Sequence, residues 1–259
     1  MPIITLTTDW GLKDYPVAAV KGTLYGLCPG VEIVDITHQI PFFNIIEAAY
    51  TLNSCSYSFP QGTIHIIGLE NTSREVEVLA VRHNGQYFLG VDNGIFSLMF
   101  EAHTADIVQL PLYPYTPKTF LTLDVMIPAA VALIRGEDLS LLGTPKDAFL
   151  IRSLLYATYD ENVIRGAVSY IDSFENVVTN ISRDLFNRIG KGRAFHITMK
   201  TQKHQIKKLC ESYGDVANGD VFALFNSQGL LEIGMALGPA ASLLGLSYNE
   251  TIRIEFNDR

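Results

Sequence analysis

The first seventy residues constrain the fold most. Ile3-Ile4-Thr5-Leu6-Thr7-Thr8 is an apolar, largely β-branched run that stops at Asp9-Trp10-Gly11, as a buried parallel strand opening into a loop does. Val17 to Leu27 then puts apolar residues on one helical face, with Gly22 and Gly26 for close packing, until Cys28-Pro29-Gly30 stops the helix. Val31 to Ile36 reads as a second strand ending at Thr37-His38. Asn44 is placed to cap a helix from Ile45 to about Cys55, and Pro60-Gln61-Gly62 turns into a third strand, Thr63 to Ile67. Strand, helix, strand, helix, strand is the rhythm of a parallel sheet with crossover helices. Ligands in such sheets bind beyond the carboxyl ends of the strands. Asp9 and Asp14 are therefore the first candidate site residues. Carboxylates there can accept the hydroxyls of a ribose, hold a cation, or simply be solvated.

Two further strands, Val76 to Val81 and Tyr87 to Val91, flank a hairpin turn at His83-Asn84-Gly85. In Asp92-Asn93-Gly94, Gly94 can take positive φ, while Asn93 either holds the turn or faces a ligand, the turn being favoured. Ile107 to Leu110 is another strand, and Val125 to Ile134 is an apolar helix with Pro128 in its first turn, where proline is tolerated. After about residue 145 helix signals nearly vanish. Short β runs follow at Asn162 to Ile171, Val177 to Ile181, Ala194 to Met199, Val221 to Phe225, Leu230 to Ala236 and Thr251 to Phe256. The expected architecture is an α/β domain over 1–148, a parallel or mixed sheet flanked by helices. An all-β, barrel-like domain over 155–259 follows it, with the boundary at 145 to 155.

Composition removes several function classes. The 259 residues are 48% hydrophobic and 18% charged, a globular profile. A net charge of −8 argues against a nucleic-acid partner, whose phosphates need a basic face. No apolar run approaches the ~20 residues needed to span a bilayer, so no membrane association is expected. Cys28, Cys55 and Cys210 are an odd number without paired spacing, which reads as reduced, buried thiols in a cytoplasmic protein. No Cys or His pair has metal-ligand spacing, so a zinc site is not expected, and Asp9 and Asp14 are more simply ribose acceptors than metal ligands; no cofactor is expected.

Several stretches, in order, resemble the S-adenosylmethionine (SAM) hydrolase family, the SAM hydroxide adenosyltransferases, to which SAM-dependent fluorinases and chlorinases are related. They begin with Thr8-Asp9-Trp10-Gly11 and Asp14, Val20-Lys21-Gly22, Val34-Asp35-Ile36-Thr37-His38, Glu47-Ala48-Ala49, Phe59 to His65 and Asp92-Asn93-Gly94. Ile171 to Val177, Thr179-Asn180-Ile181, Asn226 to Ile233 and Gly238 to Leu246 complete the series. The resemblance spans nearly the whole chain. It implies an N-terminal α/β domain, a C-terminal β-barrel and a homotrimer in which SAM lies between neighbouring subunits. Carried over by position, Asp9 takes the ribose hydroxyls and Phe43 packs beside the ribose. Asp172 holds the methionine ammonium, Phe174 and Asn176 bound and read the adenine, and Ser227 and Gln228 meet the methionine carboxylate. A zwitterionic sulfonium suits an acidic loop, an aromatic wall and a few polar anchors. Read from the residues alone, Asp172 and Asn176 can equally be turn residues, Phe43 and Phe174 plain core, and Ser227 with Gly229 a hairpin turn.

The departures from the family fall on its chemistry. The hydrolases carry D-P-G-V-G and then an arginine after the third strand; here the stretch is the shorter Gly68-Leu69-Glu70-Asn71-Thr72-Ser73-Arg74. Glu70 and Arg74 are the candidate catalytic residues. Where the family has T-F-H-G-R-D, this chain has Thr119-Phe120-Leu121-Thr122-Leu123-Asp124, so Leu121 replaces a histidine. Leucine neither exchanges a proton nor donates a hydrogen bond. The expected function is slow hydrolysis of SAM to adenosine and methionine by water. The alternatives are a non-catalytic SAM- or adenosine-binding protein, or an adenosyltransferase with another nucleophile. Halogenation fits least, because Glu70 places negative charge where a halide must sit.

Overall fold

The structure is a computed structural model that describes residues 2–69, 76–115, 117, 119–152, 156–199 and 205–257. The chain divides into two compact units, Met1–Ser153 and Leu154–Arg259.

The first unit contains β1 (Ile3–Thr8), α1 (Pro16–Leu27), β2 (Glu32–Thr37), α2 (Ile45–Cys55), β3 (Ile64–Gly68), β4 (Val78–His83), β5 (Gln86–Val91), α3 (Ile95–Met99), β6 (Asp106–Leu110), α4 (Ile127–Ile134) and β7 (Thr144–Lys146). The strands form one mixed sheet, in the order β2-β1-β3-β5-β4-β6-β7. β2, β1, β3 and β5 run parallel, and β4, β6 and β7 join antiparallel. Side chains alternate between the two faces of a strand. Ile4, Leu6, Ile64, Ile66, Ala80 and Leu89 accordingly pack with α1 and α4, while Ile67, Leu79, Val81 and Phe88 pack with α2 and α3. The central strands β1, β3, β4 and β5 are thus buried on both faces, which explains why they read as largely apolar runs, whereas the edge strand β2 is only partly buried.

Local chemistry sets several boundaries. Asn44 caps α2, its Oδ1 accepting the Glu47 N–H at 3.2 Å. Asn84 and Gly85 both take positive φ, 48° and 74°, as a two-residue hairpin turn requires. The helix expected from Val125 begins earlier, at a π-helical turn over Thr122–Met126 that runs into α4. Pro128 explains the widening. It has no N–H to give the residue four back, and its ring would crowd that carbonyl.

The second unit contains β8 (Thr158–Tyr159), β9 (Val163–Ile171), β10 (Val177–Ser182), α5 (Arg183–Gly190), β11 (Phe195–Thr198), β12 (Gln205–Ile206), β13 (Val221–Phe225), β14 (Leu230–Met235), α6 (Ala240–Leu244) and β15 (Thr251–Phe256). The strands pair antiparallel in the order β12-β11-β15-β9-β10-β14-β13, and β12 also approaches β13, so the sheet nearly closes into a barrel. Two helices appear where almost none was expected. Ser182 caps α5 by accepting the Leu185 N–H at 3.2 Å, and Phe186 buries itself among Phe195, Phe225 and Phe256. α6 is five residues long, too short for a helical period to show. Cys28 is buried, whereas Cys55 and Cys210 are only partly so; all three are free thiols.

Candidate active site

β1 lies between β2 and β3, so the chain leaves it to one side and returns on the other. In open α/β sheets such a reversal marks where ligands bind, beyond the carboxyl ends of the strands, here those of β1 and β3. Asp9 stands there, 2% exposed. Its Oδ2 accepts the backbone N–H of Phe43 at 3.2 Å. Two backbone bonds stitch the loops after β1 and β2 together, Gly11 N–H to the His38 carbonyl at 2.7 Å and Ile40 N–H to the Thr8 carbonyl at 3.3 Å. Gly11 (φ 67°) takes the left-handed conformation this requires without strain, whereas Phe43 (φ 64°) adopts it at a cost. The Phe43 ring is exposed, so the structure rejects a core role for it. Asp14 is exposed as well.

Beneath this loop lies a polar network that carried no assigned role in the sequence. Buried His38 shares a 2.8 Å hydrogen bond between Nδ1 and Thr8 Oγ1. Its Nε2 lies 3.1 Å from Asp35 Oδ1 but out of line for a hydrogen bond. Lys21 donates to the other Asp35 oxygen at 2.5 Å. Burial works against ionisation of Asp35, but Lys21 and His38 together outweigh it and hold the carboxyl below its usual range. One signal was available: Lys21, Asp35 and His38 all lie in the motifs quoted above.

The end of β3 is shaped by a ring. A Cβ on Gly68 would stand 2.4 Å from Cζ2 of Trp10 and 3.2 Å from Thr122 Oγ1, so only glycine lets the indole roof the strand. Trp10 in turn meets Phe120 edge-on at 5.2 Å. Leu121 is partly buried against the same apolar core. Glu70 and Arg74, the candidate catalytic pair, lie outside the described residues.

Asp92-Asn93-Gly94 serves the backbone. Both Asp92 oxygens accept the Leu150 N–H, at 2.9 and 3.0 Å. Burial is the main reason its carboxyl titrates above the usual range. Asn93 Oδ1 accepts the Ile95 N–H at 3.1 Å, so Asn93 holds the turn. Gly94 leaves room for Arg152, whose Cγ would be 2.0 Å from an added Cβ.

In the second unit, Asp172 organises a tight turn. Its Oδ1 accepts the N–H groups of Phe174 and Asn176 at 2.9 and 2.7 Å, and its Oδ2 accepts Asn176 Nδ2 at 3.0 Å. The turn reading of Asp172 and Asn176 therefore holds, and it leaves Asp172 further lone pairs. Phe174 is 80% exposed, so it is not core. Ser227 and Gln228 are exposed on the hairpin turn between β13 and β14, where Gly229 has φ 72°. Behind that turn Glu232 is buried, accepting Tyr213 Oη–H at 3.0 Å and Asn226 Nδ2–H at 3.2 Å. Burial chiefly pushes its carboxyl above the usual range; the two hydrogen bonds oppose this, and the Asp172 charge adds to it. Among the described residues no three His, Cys, Asp or Glu side chains are grouped to hold a metal, and no helix is long and apolar enough to cross a membrane.

Comparison with known proteins decides the kinship. The pattern of the SAM hydroxide adenosyltransferase N-terminal domain matches residues 4–143, and that of the C-terminal domain matches residues 166–253. The chain belongs to the SAM hydroxide adenosyltransferase family. An (R)-S-adenosyl-L-methionine hydrolase of Methanocaldococcus jannaschii is 30% identical, over 98% of this chain and 96% of its own. A hydrolase of the same name from Thermus thermophilus is 27% identical, over 95% and 97%. A fluorinase from an Actinoplanes species is 24% identical, over 98% and 97%. The crystal structure of an uncharacterized conserved protein from Thermotoga maritima superposes with a TM-score of 0.87 at 27% identity, over 97% of this chain and 99% of the other.

Proposed function

We propose that this family member hydrolyses S-adenosyl-L-methionine to adenosine and L-methionine, slowly, as a homotrimer. Water attacks the ribose C5′, the C5′–S bond breaks, its electron pair neutralises the sulfonium, and the water gives up a proton. In this reading Asp9 accepts the ribose hydroxyls beside Phe43. Asp172 uses its remaining lone pairs for the methionine ammonium. Phe174 and Asn176 bound and read the adenine; with Nδ2 committed to Asp172, Asn176 has its carbonyl oxygen for the exocyclic amine. Ser227 and Gln228 meet the methionine carboxylate. Glu70 orients the water, and Arg74 favours its deprotonated form.

The observation that carries this reading is Asp9: a buried carboxylate at the switch point of a family sheet, with a backbone amide fixing one of its oxygens. The two hydrolases named above are named for the (R) epimer, and we propose the same preference here. A site that fixes the ribose and the amino acid separately tolerates only one arrangement about sulfur. Incubation with each epimer, followed by chromatography for adenosine, tests this: release from the (R) epimer above an enzyme-free control supports it, and no release from either refutes it. Light scattering that shows a monomer at micromolar concentration refutes the trimer.

Leu121 favours a second reading. An apolar residue packed on the core cannot assist proton transfer, which typically contributes 10²–10⁴-fold in rate. Tight binding without turnover identifies a non-catalytic SAM-binding protein.

A further inference from the structure

Glu232 is 4% exposed, and a carboxylate so deep needs donors to remain there. Tyr213 supplies one to Oε1 and Asn226 supplies one to Oε2. The second bond has a consequence for the neighbouring turn. A side-chain amide can point either way, its oxygen and nitrogen being nearly equal in size. An ionised carboxylate can only accept, so Glu232 selects the orientation with the Asn226 NH₂ toward itself. Asn226 Oδ1 then faces the hairpin turn, where it accepts the N–H groups of Gln228 and Leu230, both at 3.1 Å. Gly229 N–H closes the turn on the Asn226 carbonyl at 2.9 Å. The two exposed side chains on that turn are Ser227 and Gln228. Flipping the amide would set its NH₂ against two N–H donors and undo both bonds.

We infer that Glu232 is a positioning residue for the amino-acid end of the substrate, acting through the Asn226 amide to hold the Ser227-Gln228 turn in its recognition geometry. The inference rests on the proposed function, in which that turn meets the methionine carboxylate. It also sets a signature that general loosening of the fold would not produce. Adenosine lacks the methionine part, so its binding does not depend on the turn.

Affinities for SAM and for adenosine, measured by calorimetry on the full chain, test the inference. Glu232→Leu keeps the volume and removes the acceptor, so SAM binding should weaken roughly tenfold, as expected for loss of hydrogen bonds to a charged group, while adenosine stays within about twofold. Glu232→Gln should restore SAM binding, because its Oε1 still accepts from Asn226 and its NH₂ can donate to Tyr213 Oη. Tyr213→Phe removes the other bond only and should leave the SAM-to-adenosine ratio unchanged. If Glu232→Leu does not fold, Asn226→Ala deletes the Oδ1 acceptor directly and should show the same selective loss. Equal weakening of both ligands, no weakening, or failure of Glu232→Gln to rescue overturns the inference. A wild-type protein that binds neither ligand overturns the functional reading itself, which is a distinguishable result.

Discussion

His65 makes the first unit sensitive to mild acid. It sits on β3 with no exposed surface. Its ring is stacked on Phe88 at 4.6 Å and meets Phe59 edge-on at 5.6 Å. Thr5 Oγ1 lies 2.7 Å from its Nδ1. Burial pulls its pKa from 6.5 down to about 4, against a smaller opposing contribution from Gln86. The unfolded imidazole therefore takes up a proton near pH 6.5, whereas the folded one resists until about pH 4. Between those values the unfolded chain binds more protons, so stability falls as the pH falls. The contribution is complete above pH 6.5 and gone below pH 4. The whole difference corresponds to about 3 kcal/mol, of which about 2 kcal/mol is lost by pH 5. The variant His65→Phe keeps a ring for the stack and cannot titrate. It leaves Thr5 without its side-chain partner, a cost that does not vary with pH. Urea unfolding followed by the fluorescence of Trp10, the chain's one tryptophan and a member of the same unit, measures both proteins. The stability gap between wild type and variant should change by about 2 kcal/mol between pH 7.5 and 5, to the disadvantage of wild type at the lower pH. Other titrating groups are common to the two proteins and cancel. Parallel losses would show that burial of His65 does not depress its basicity.

Three further outcomes concern the site. Asp9→Ala should weaken adenosine binding by about 2 kcal/mol, or ~30-fold, through loss of charge-assisted hydrogen bonds; unchanged affinity in calorimetry means that Asp9 does not hold the ribose. Gly68→Ala drives a methyl group into the Trp10 ring, so it should cost about 1–3 kcal/mol, shift the tryptophan emission and slow turnover; wild-type emission together with wild-type rate would contradict the packing argument. Leu121→His should raise the rate of adenosine release by about tenfold or more if the segment accepts the ring, since proton transfer typically contributes 10²–10⁴-fold; an unchanged rate means that the residues present already supply that help or that no turnover exists to improve.

The parts of this molecule that were legible in the sequence are those determined locally. α2 begins at Asn44 because its cap needs only the Glu47 amide three residues on, and the hairpin at Asn84-Gly85 needs only two residues that tolerate positive φ. Parallel strands buried on both faces announce themselves as unbroken apolar runs. What was hidden depends on distant partners. α5 follows β10 without a loop, has charged residues in most of its turns, and owes its place to the three aromatic rings around Phe186. The π-turn before α4 arises from Pro128 acting on a helix already packed against the sheet. Asp92 could be quoted as part of a motif, but its partner is the amide of Leu150, 58 residues away. Whether Phe43 and Phe174 would be core or exposed wall could not be read from an aromatic's usual preference. A left-handed backbone at Phe43 and the Asp172 turn at Phe174 turn both rings outward.

The central claim is that water attacks the ribose carbon of SAM. Its most direct test is a prolonged incubation of the purified protein with SAM in water labelled with heavy oxygen, with the released adenosine examined by mass spectrometry. The account predicts adenosine that carries one heavy oxygen, located at the 5′-hydroxyl, and methionine that carries none. Adenosine without the label, or no adenosine above the enzyme-free control, contradicts it.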